Sequence, residues 1–227
     1  MNIVITGCSK GIGFELVKIW SKNHKVYGIS RNTEKLELLR ASLSNPANFK
    51  FLSKDIVNIN QHDIKDFIKD SKVDILVNNA GHLINKPFSE IKYDDYRDLM
   101  DVNFWGAFNL SQLLVKKLSN AKGQIINISS MGGVNYTSKF PGLSLYSSSK
   151  AALSVFTECL AVELESEQIK VNALALGAVE TEMLNTAFPG YVADTKAHEM
   201  ASFIVEFVNS SSNIINGQVI RVSKSNP

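Results

Sequence analysis

Seven short runs rich in valine and isoleucine recur along the chain: Asn2–Thr6, Lys25–Ser30, Asn48–Ser53, Val73–Val77, Gln124–Ser129, Lys170–Leu176 and Gln218–Val222. Their apolar residues are consecutive rather than alternating. A strand with one face in water alternates, whereas a strand covered on both faces does not. Longer stretches with apolar residues at helical spacing lie between them. Gly13–Lys22 carries Phe14, Val17 and Ile19. Thr33–Leu43 carries Leu36, Leu39 and Leu43, with Thr33 placed to cap its start. Residues 61–70 carry Ile64, Phe67 and Ile68. Further patterns run from Tyr93 to Leu118 with an interruption near Asp101, from Tyr146 to Glu165, and from Thr195 to Val208. This alternation predicts an α/β protein: one domain over residues 1–227, with a doubly wound, seven-stranded parallel sheet and helices on both faces.

Charge and cysteine content narrow the function classes. Twenty-four basic and 22 acidic residues leave a formal charge of +2, so no global field directs the chain to nucleic acid or to a membrane surface. Cys8 and Cys159 are too few for a disulfide framework. His24, His62, His82 and His198 show no metal-ligand spacing, so no metal site is expected. Met1-Asn2 leads straight into Ile3-Val4-Ile5, which leaves no room for a signal peptide, and no apolar run approaches a membrane span. A soluble, cytoplasmic protein is expected.

The segment Thr6-Gly7-Cys8-Ser9-Lys10-Gly11-Ile12-Gly13 follows the first strand and opens the first helix. Three glycines permit a tight turn, close backbone approach to a diphosphate, and close helix–strand contact. The free N–H groups at the helix start then face the anion. Dinucleotide binding is the expectation.

The Thr-Gly-x-x-x-Gly-x-Gly spacing resembles the short-chain dehydrogenase/reductase family, and other segments match that family in order. Asp55-Ile56 stands where the family contacts adenine. Asn78-Asn79-Ala80-Gly81 follows the fourth strand. Asn103 lies in Val102-Asn103-Phe104-Trp105-Gly106. Ser129-Ser130 ends the fifth strand, Tyr146-Ser147-Ser148-Ser149-Lys150 supplies Tyr-x-x-x-Lys, and Gly177-Ala178-Val179-Glu180-Thr181 resembles the nicotinamide-side segment. The resemblance covers nearly the whole chain. It implies a Rossmann-type oxidoreductase acting on a carbonyl or alcohol substrate, with cofactor contacts from Thr6, Gly7, Ser9, Lys10, Gly11, Ile12, Gly13, Asp55, Ile56, Asn79, Ala80, Gly81, Tyr146, Lys150, Gly177, Val179 and Thr181. It implies catalysis by Asn103, Ser130, Tyr146 and Lys150, and a homodimer or homotetramer.

An acidic residue at the end of the second strand favours NAD, because it pairs with the ribose hydroxyls and repels a 2′-phosphate. Here Ser30 occupies that position and Arg31 follows, while Lys10 lies in the glycine turn. Two cations and no carboxylate predict NADP. Tyr146 and Lys150 are four apart and share a helix face, so a Lys150 cation is expected to lower a phenol pKa that is otherwise about 10. Ser130 is expected to hold the substrate oxygen. The resemblance further implies a water held by Asn103 that links Lys150 to solvent.

Three departures from the family pattern stand out. The stretch from Ser130 to Tyr146 is long, which predicts an extended substrate-side loop over Met131–Ser144. Leu176-Gly177 replaces Pro-Gly. The chain stops at Pro227 without a glycine-rich tail, which puts tetramer formation in question. Met183–Asp194, with Leu184, Phe188 and Tyr191, is a second candidate lid. Cys8 is a passenger of the turn, His82 a wall residue, and Phe104, Trp105 and Phe108 core or subunit contacts. A non-catalytic NADP-binding regulator on the same fold is the competing reading, against which the intact Ser, Tyr, Lys and Asn set argues.

Overall fold

The computed structural model describes residues 1–210 and 214–224; Pro227, the expected end of the chain, lies outside them. The elements run in the order β1 (Asn2–Thr6), α1 (Gly11–Trp20), β2 (Lys25–Ser30), α2 (Thr33–Ser42), β3 (Phe49–Ser53), α3 (Gln61–Phe67), β4 (Ile75–Asn78), α4 (Tyr93–Met100) and α5 (Gly106–Ser119). They continue with β5 (Gln124–Ser130), α6 (Ser144–Glu163), β6 (Lys170–Leu176), β7 (Val179–Glu180), α7 (Glu182–Ala187), β8 (Thr195–Lys196), α8 (Ala197–Ser210) and β9 (Val219–Val222). Seven strands form one sheet in the order β3-β2-β1-β4-β5-β6-β9. Every neighbouring pair is parallel.

Successive side chains of a strand point to opposite faces, and here both faces are covered. Ile3 and Ile5 of β1 pack with Val77, Ile126 and Leu174 beneath α1, α2 and α8. Val4 of the same strand packs with Leu76, Ile125 and Val171 beneath α3, α5 and α6. That double burial is why the sequence shows continuous apolar runs. Each such side chain contributes roughly 1.5–3 kcal/mol when fully buried.

Differences from the sequence expectation fall at element ends. β3 begins at Phe49 rather than Asn48 because Pro46–Asn48 form a 3-10 turn. β4 is Ile75–Asn78 rather than 73–77, and β5 extends through Ser130. α1 begins at Gly11 and α6 at Ser144, each two residues early. α3 stops at Phe67 rather than 70, and α8 spans Ala197–Ser210 rather than 195–208. Thr33 is not the cap of α2: Asn32 is, its side chain accepting from Lys35 N at 2.8 Å, while the Thr33 hydroxyl donates to Ser53 at 2.6 Å. The interruption expected near Asp101 is a π turn over Asp101–Trp105 that joins α4 to α5. β7 and β8 form a separate two-stranded parallel pair. No helix among the described residues is long and apolar enough to cross a membrane.

Candidate active site

A cleft of about 610 Å³ opens at the carboxyl ends of the central strands, where ligands of doubly wound sheets bind. Gly7, Ser9, Lys10, Gly11 and Ile12 line one end, with Arg31, Asp55, Ile56, Asn79, Ala80 and Gly81. Ser130, Tyr146, Lys150, Gly177, Val179 and Thr181 line the rest. Three expected site residues, Thr6, Gly13 and Asn103, stand behind the wall rather than on it.

Thr6 and Gly13 set the shape of the glycine turn. The Thr6 hydroxyl accepts from Asn79 N at 3.0 Å and Ala80 N at 2.9 Å. The Asn79 amide donates to Thr6 O and Gly7 O at 2.9 and 3.1 Å, locking the end of β4 to the turn. Gly7 holds φ +66°, and a Cβ on Gly13 would stand 2.5 Å from Gly7 O. Any larger residue at 13 would break the turn. No side chain caps the start of α1, so its first N–H groups are left for a ligand. These features fit a dinucleotide diphosphate.

At the inner end, Ser130 and Tyr146 both line the cleft, and the Ser130 hydroxyl, whose oxygen accepts from Gly132 N at 3.2 Å, favours the ionised form of the phenol. Ser129, one residue earlier and therefore on the opposite face of β5, is buried and bonds Lys150 O at 3.1 Å and Ser154 at 2.9 Å. It pins α6 to the sheet, so although both serines line the cleft, the Ser129 hydroxyl is engaged and Ser130 is the serine left for a ligand. Lys150 is buried and donates to Ile128 O at 2.9 Å. Burial lowers its pKa to about 8. Burial raises the Tyr146 phenol above its ordinary value, and the nearby Ser130 hydroxyl opposes that shift. The expected lowering of Tyr146 by Lys150 is thus not what sets the phenol here: the ammonium is directed at a backbone carbonyl.

Asn103 sits in the π turn and is almost fully buried. Its Oδ1 accepts from His82 N at 2.7 Å, and its amide donates to His82 O at 2.9 Å and Ser149 Oγ at 2.8 Å. It joins the loop after Gly81 to α6. A Cβ on Gly81 would lie 3.4 Å from Lys150 Nζ and 3.5 Å from Asn103 Oδ1, so the two groups face the same small space.

The corner expected to hold two cations and no carboxylate is different. Arg31 lies 3.8 Å from Asp55, whose carboxylate also accepts from Val57 N at 3.1 Å. Lys10 is 3.2 Å from Glu182, and Lys35, a cation the sequence reading did not single out, is 3.4 Å from the same oxygen. Lys35 lies in the first turn of α2, four residues along the chain from Arg31, which precedes the cap Asn32; its nearness in sequence to Arg31 was the signal for it. Glu182 carried no comparable signal, since its position depends on α7.

α7 crosses the cleft mouth. Thr181 caps it, accepting from Leu184 N at 3.3 Å. Asn85 secures its far end by donating to Ala187 O at 2.9 Å. The loop over Met131–Ser144 joins this side, with Lys86 N donating to Gly142 O at 3.0 Å. Leu83, Phe140, Leu143, Leu184, Phe188 and Tyr191 line this half of the cleft. Of the charged side chains lining the cleft, Lys10, Arg31, Lys35, Lys54, Asp55 and Glu182 gather on the glycine-turn side and Lys150 is buried at the inner end.

A parallel doubly wound sheet with a glycine turn opening its first helix defines a Rossmann-type dinucleotide-binding fold. The chain belongs to the short chain dehydrogenase family, whose model matches residues 1–191. It is a nicotinamide-dependent oxidoreductase of CH–OH and C=O groups. The fatty acyl-CoA reductase of Acinetobacter baylyi is 32% identical over 211 residues, covering 89% of this chain and 70% of that protein. The 3-oxoacyl-(acyl-carrier-protein) reductase of Chlamydia muridarum is 28% identical over 190 residues, covering 79% of this chain and 74% of that one. The solved structure of ElxO with NADP bound is similar at a TM-score of 0.83 and 29% identity, covering 97% of this chain and 96% of that one.

Proposed function

We propose that the protein is an NADPH-dependent reductase of ketone or aldehyde carbonyls on substrates with an apolar chain beside the carbonyl. The observation that carries this reading is that Ser130, Tyr146 and Lys150 line the inner end of the same cleft whose other end is the glycine-turn cradle. Two hydroxyls on the wall of one cleft can give one carbonyl oxygen two partners. The nicotinamide, when bound, supplies the hydride in reduction and takes it in oxidation. Tyr146, a neutral phenol at neutral pH, gives its proton to the substrate oxygen. Ser130 donates to that oxygen and holds it beside the phenol. Lys150, one helical turn from Tyr146 with its ammonium on Ile128 O, serves the cofactor ribose and the proton path rather than setting the phenol. Asn103 positions the set, and its Oδ1 keeps one lone pair beside Lys150 for a water that returns the proton.

NADP rather than NAD is supported by Lys10, Arg31 and Lys35 at the glycine-turn corner, by Ser30 in place of an acid, and by the NADP-bound relative. A pool kept reduced in cells favours the carbonyl-reducing direction. The apolar half of the cleft supports an apolar chain beside the carbonyl, and relatives named for acyl substrates agree with that part of it. The same reading places residues 1–227 in one domain, in the cytoplasm, as a homodimer or homotetramer. Free Cys8 and Cys159 agree with a reducing compartment. The partly exposed Trp105, stacked on Phe108 beside Phe104 and Phe156, offers a subunit contact.

Tyr146→Phe tests the mechanism. In assays with NADPH and a panel of apolar carbonyls, kcat should fall roughly 10²- to 10⁴-fold while NADPH affinity holds. Unchanged turnover would remove Tyr146 from the chemistry. Turnover with NADH and none with NADPH would overturn the cofactor assignment.

A further inference from the structure

We propose that Glu182 is a specificity-determining latch: it occupies the lysine pair that a cofactor 2′-phosphate needs, and it gives up that pair when the phosphate arrives. The inference rests on the NADPH reading above. Lys10 comes from the glycine turn and Lys35 from the first turn of α2, while Glu182 is the first residue of α7. One carboxylate oxygen reaches both ammonium groups, at 3.2 and 3.4 Å. Glu182 therefore ties the mouth-crossing helix to both walls of the phosphate corner, and its pKa is held down by Lys10 first and Lys35 second.

A 2′-phosphate carries close to two negative charges and is itself a ligand for paired cations. It cannot share two lysines with a carboxylate without like-charge repulsion. Lys10, Lys35 and Glu182 are each about half exposed, and exposed pairs of this kind are weak and screened by salt. A dianion can therefore displace Glu182. Arg31 is the least engaged cation of the corner, 3.8 Å from Asp55 and largely exposed, and it stands as the first contact for the incoming phosphate. Displacement frees the front of α7, while Asn85 keeps its far end in place through Ala187 O. The carboxylate thus weakens NADPH binding, and it also holds both lysines at the corner before the ligand arrives.

The test is equilibrium binding of NADPH and NADH, followed by cofactor fluorescence, to the full chain. Glu182→Gln should tighten NADPH by about three- to tenfold and leave NADH within about twofold. The NADPH gain should vanish when Lys10→Ala and Lys35→Ala are also present. Glu180→Gln, whose partner is Lys196 at 3.0 Å, should change neither cofactor. An E182Q variant with NADPH affinity unchanged or weakened overturns the latch. So does an equal gain for NADH, which would mean that Glu182 acts on the diphosphate or through general charge. A wild type that binds NADH more tightly than NADPH overturns the cofactor assignment alone, since the latch is still judged by the ratio of the two E182Q effects.

Discussion

Lys150 is a lysine that the fold keeps at a cost. Burial lowers its pKa from the ordinary 10.5 to about 8. The cation is therefore disfavoured in the folded chain relative to the unfolded one, and that penalty is fully present below pH 8. Between pH 8 and 10.5 the unfolded state binds more protons, so stability rises with pH in that window. The gain is at most about 3 kcal/mol. Lys150→Met should remove this pH dependence, melt higher than wild type at pH 7, and lose turnover. Thermal melts of both proteins across pH 7–10 check it, and parallel curves would show that Lys150 carries no such penalty. At this scale much of the site was legible. The four-residue spacing of Tyr146 and Lys150 puts both on one face of α6, and the period-2 alternation of β5 sends Ser129 to the core and Ser130 to the cleft. What one sequence could not show is which partner each charge finds. Lys150 meets Ile128 O, and Lys10 meets Glu182, through contacts between residues distant along the chain.

The elements that close over the cleft are held by short, specific contacts rather than by burial. Gly142 takes φ +82°, and a Cβ there would stand 1.9 Å from Asn85 Oδ1. Asn85 in turn holds the end of α7. Gly142→Ala strains the backbone by roughly 1–2 kcal/mol and displaces Asn85, which loosens α7 on the apolar side. A KM for the carbonyl substrate raised several-fold, with NADPH affinity unchanged, is the expected steady-state result. A KM equal to wild type would show that Asn85 does not position the lid. The strands of the main sheet were readable because continuous apolar runs mark double burial. The two-residue strands β7 and β8 were not, because two residues carry no periodicity. The cap of α2 was displaced by one residue because Asn32 outcompetes Thr33, whose hydroxyl is drawn to Ser53.

Across the whole molecule, the cleft joins parts of the chain that the sheet alone keeps separate. The glycine turn belongs to β1, Asn79 to the end of β4, and Thr181 to the segment after β6. The turn is already locked by Asn79 and Thr6, so a dinucleotide meets a preorganised cradle and little of its binding energy is spent on ordering. Ligand that binds only the folded chain stabilises it by about 2.7 kcal/mol at 100 times its Kd. For a domain of this size each kcal/mol moves the melting temperature by about 2–4 °C, so saturating NADPH should raise Tm by about 5–10 °C. NADH at the same concentration should give a much smaller shift, because the 2′-phosphate contacts of Lys10, Arg31 and Lys35 are missing. The gap between the two shifts should narrow as salt is raised, since those cations are exposed. Equal shifts for the two cofactors at low salt would show that the basic corner contributes nothing to cofactor choice, and the preference would then have to arise from the adenine side of the cleft at Asp55 and Ile56.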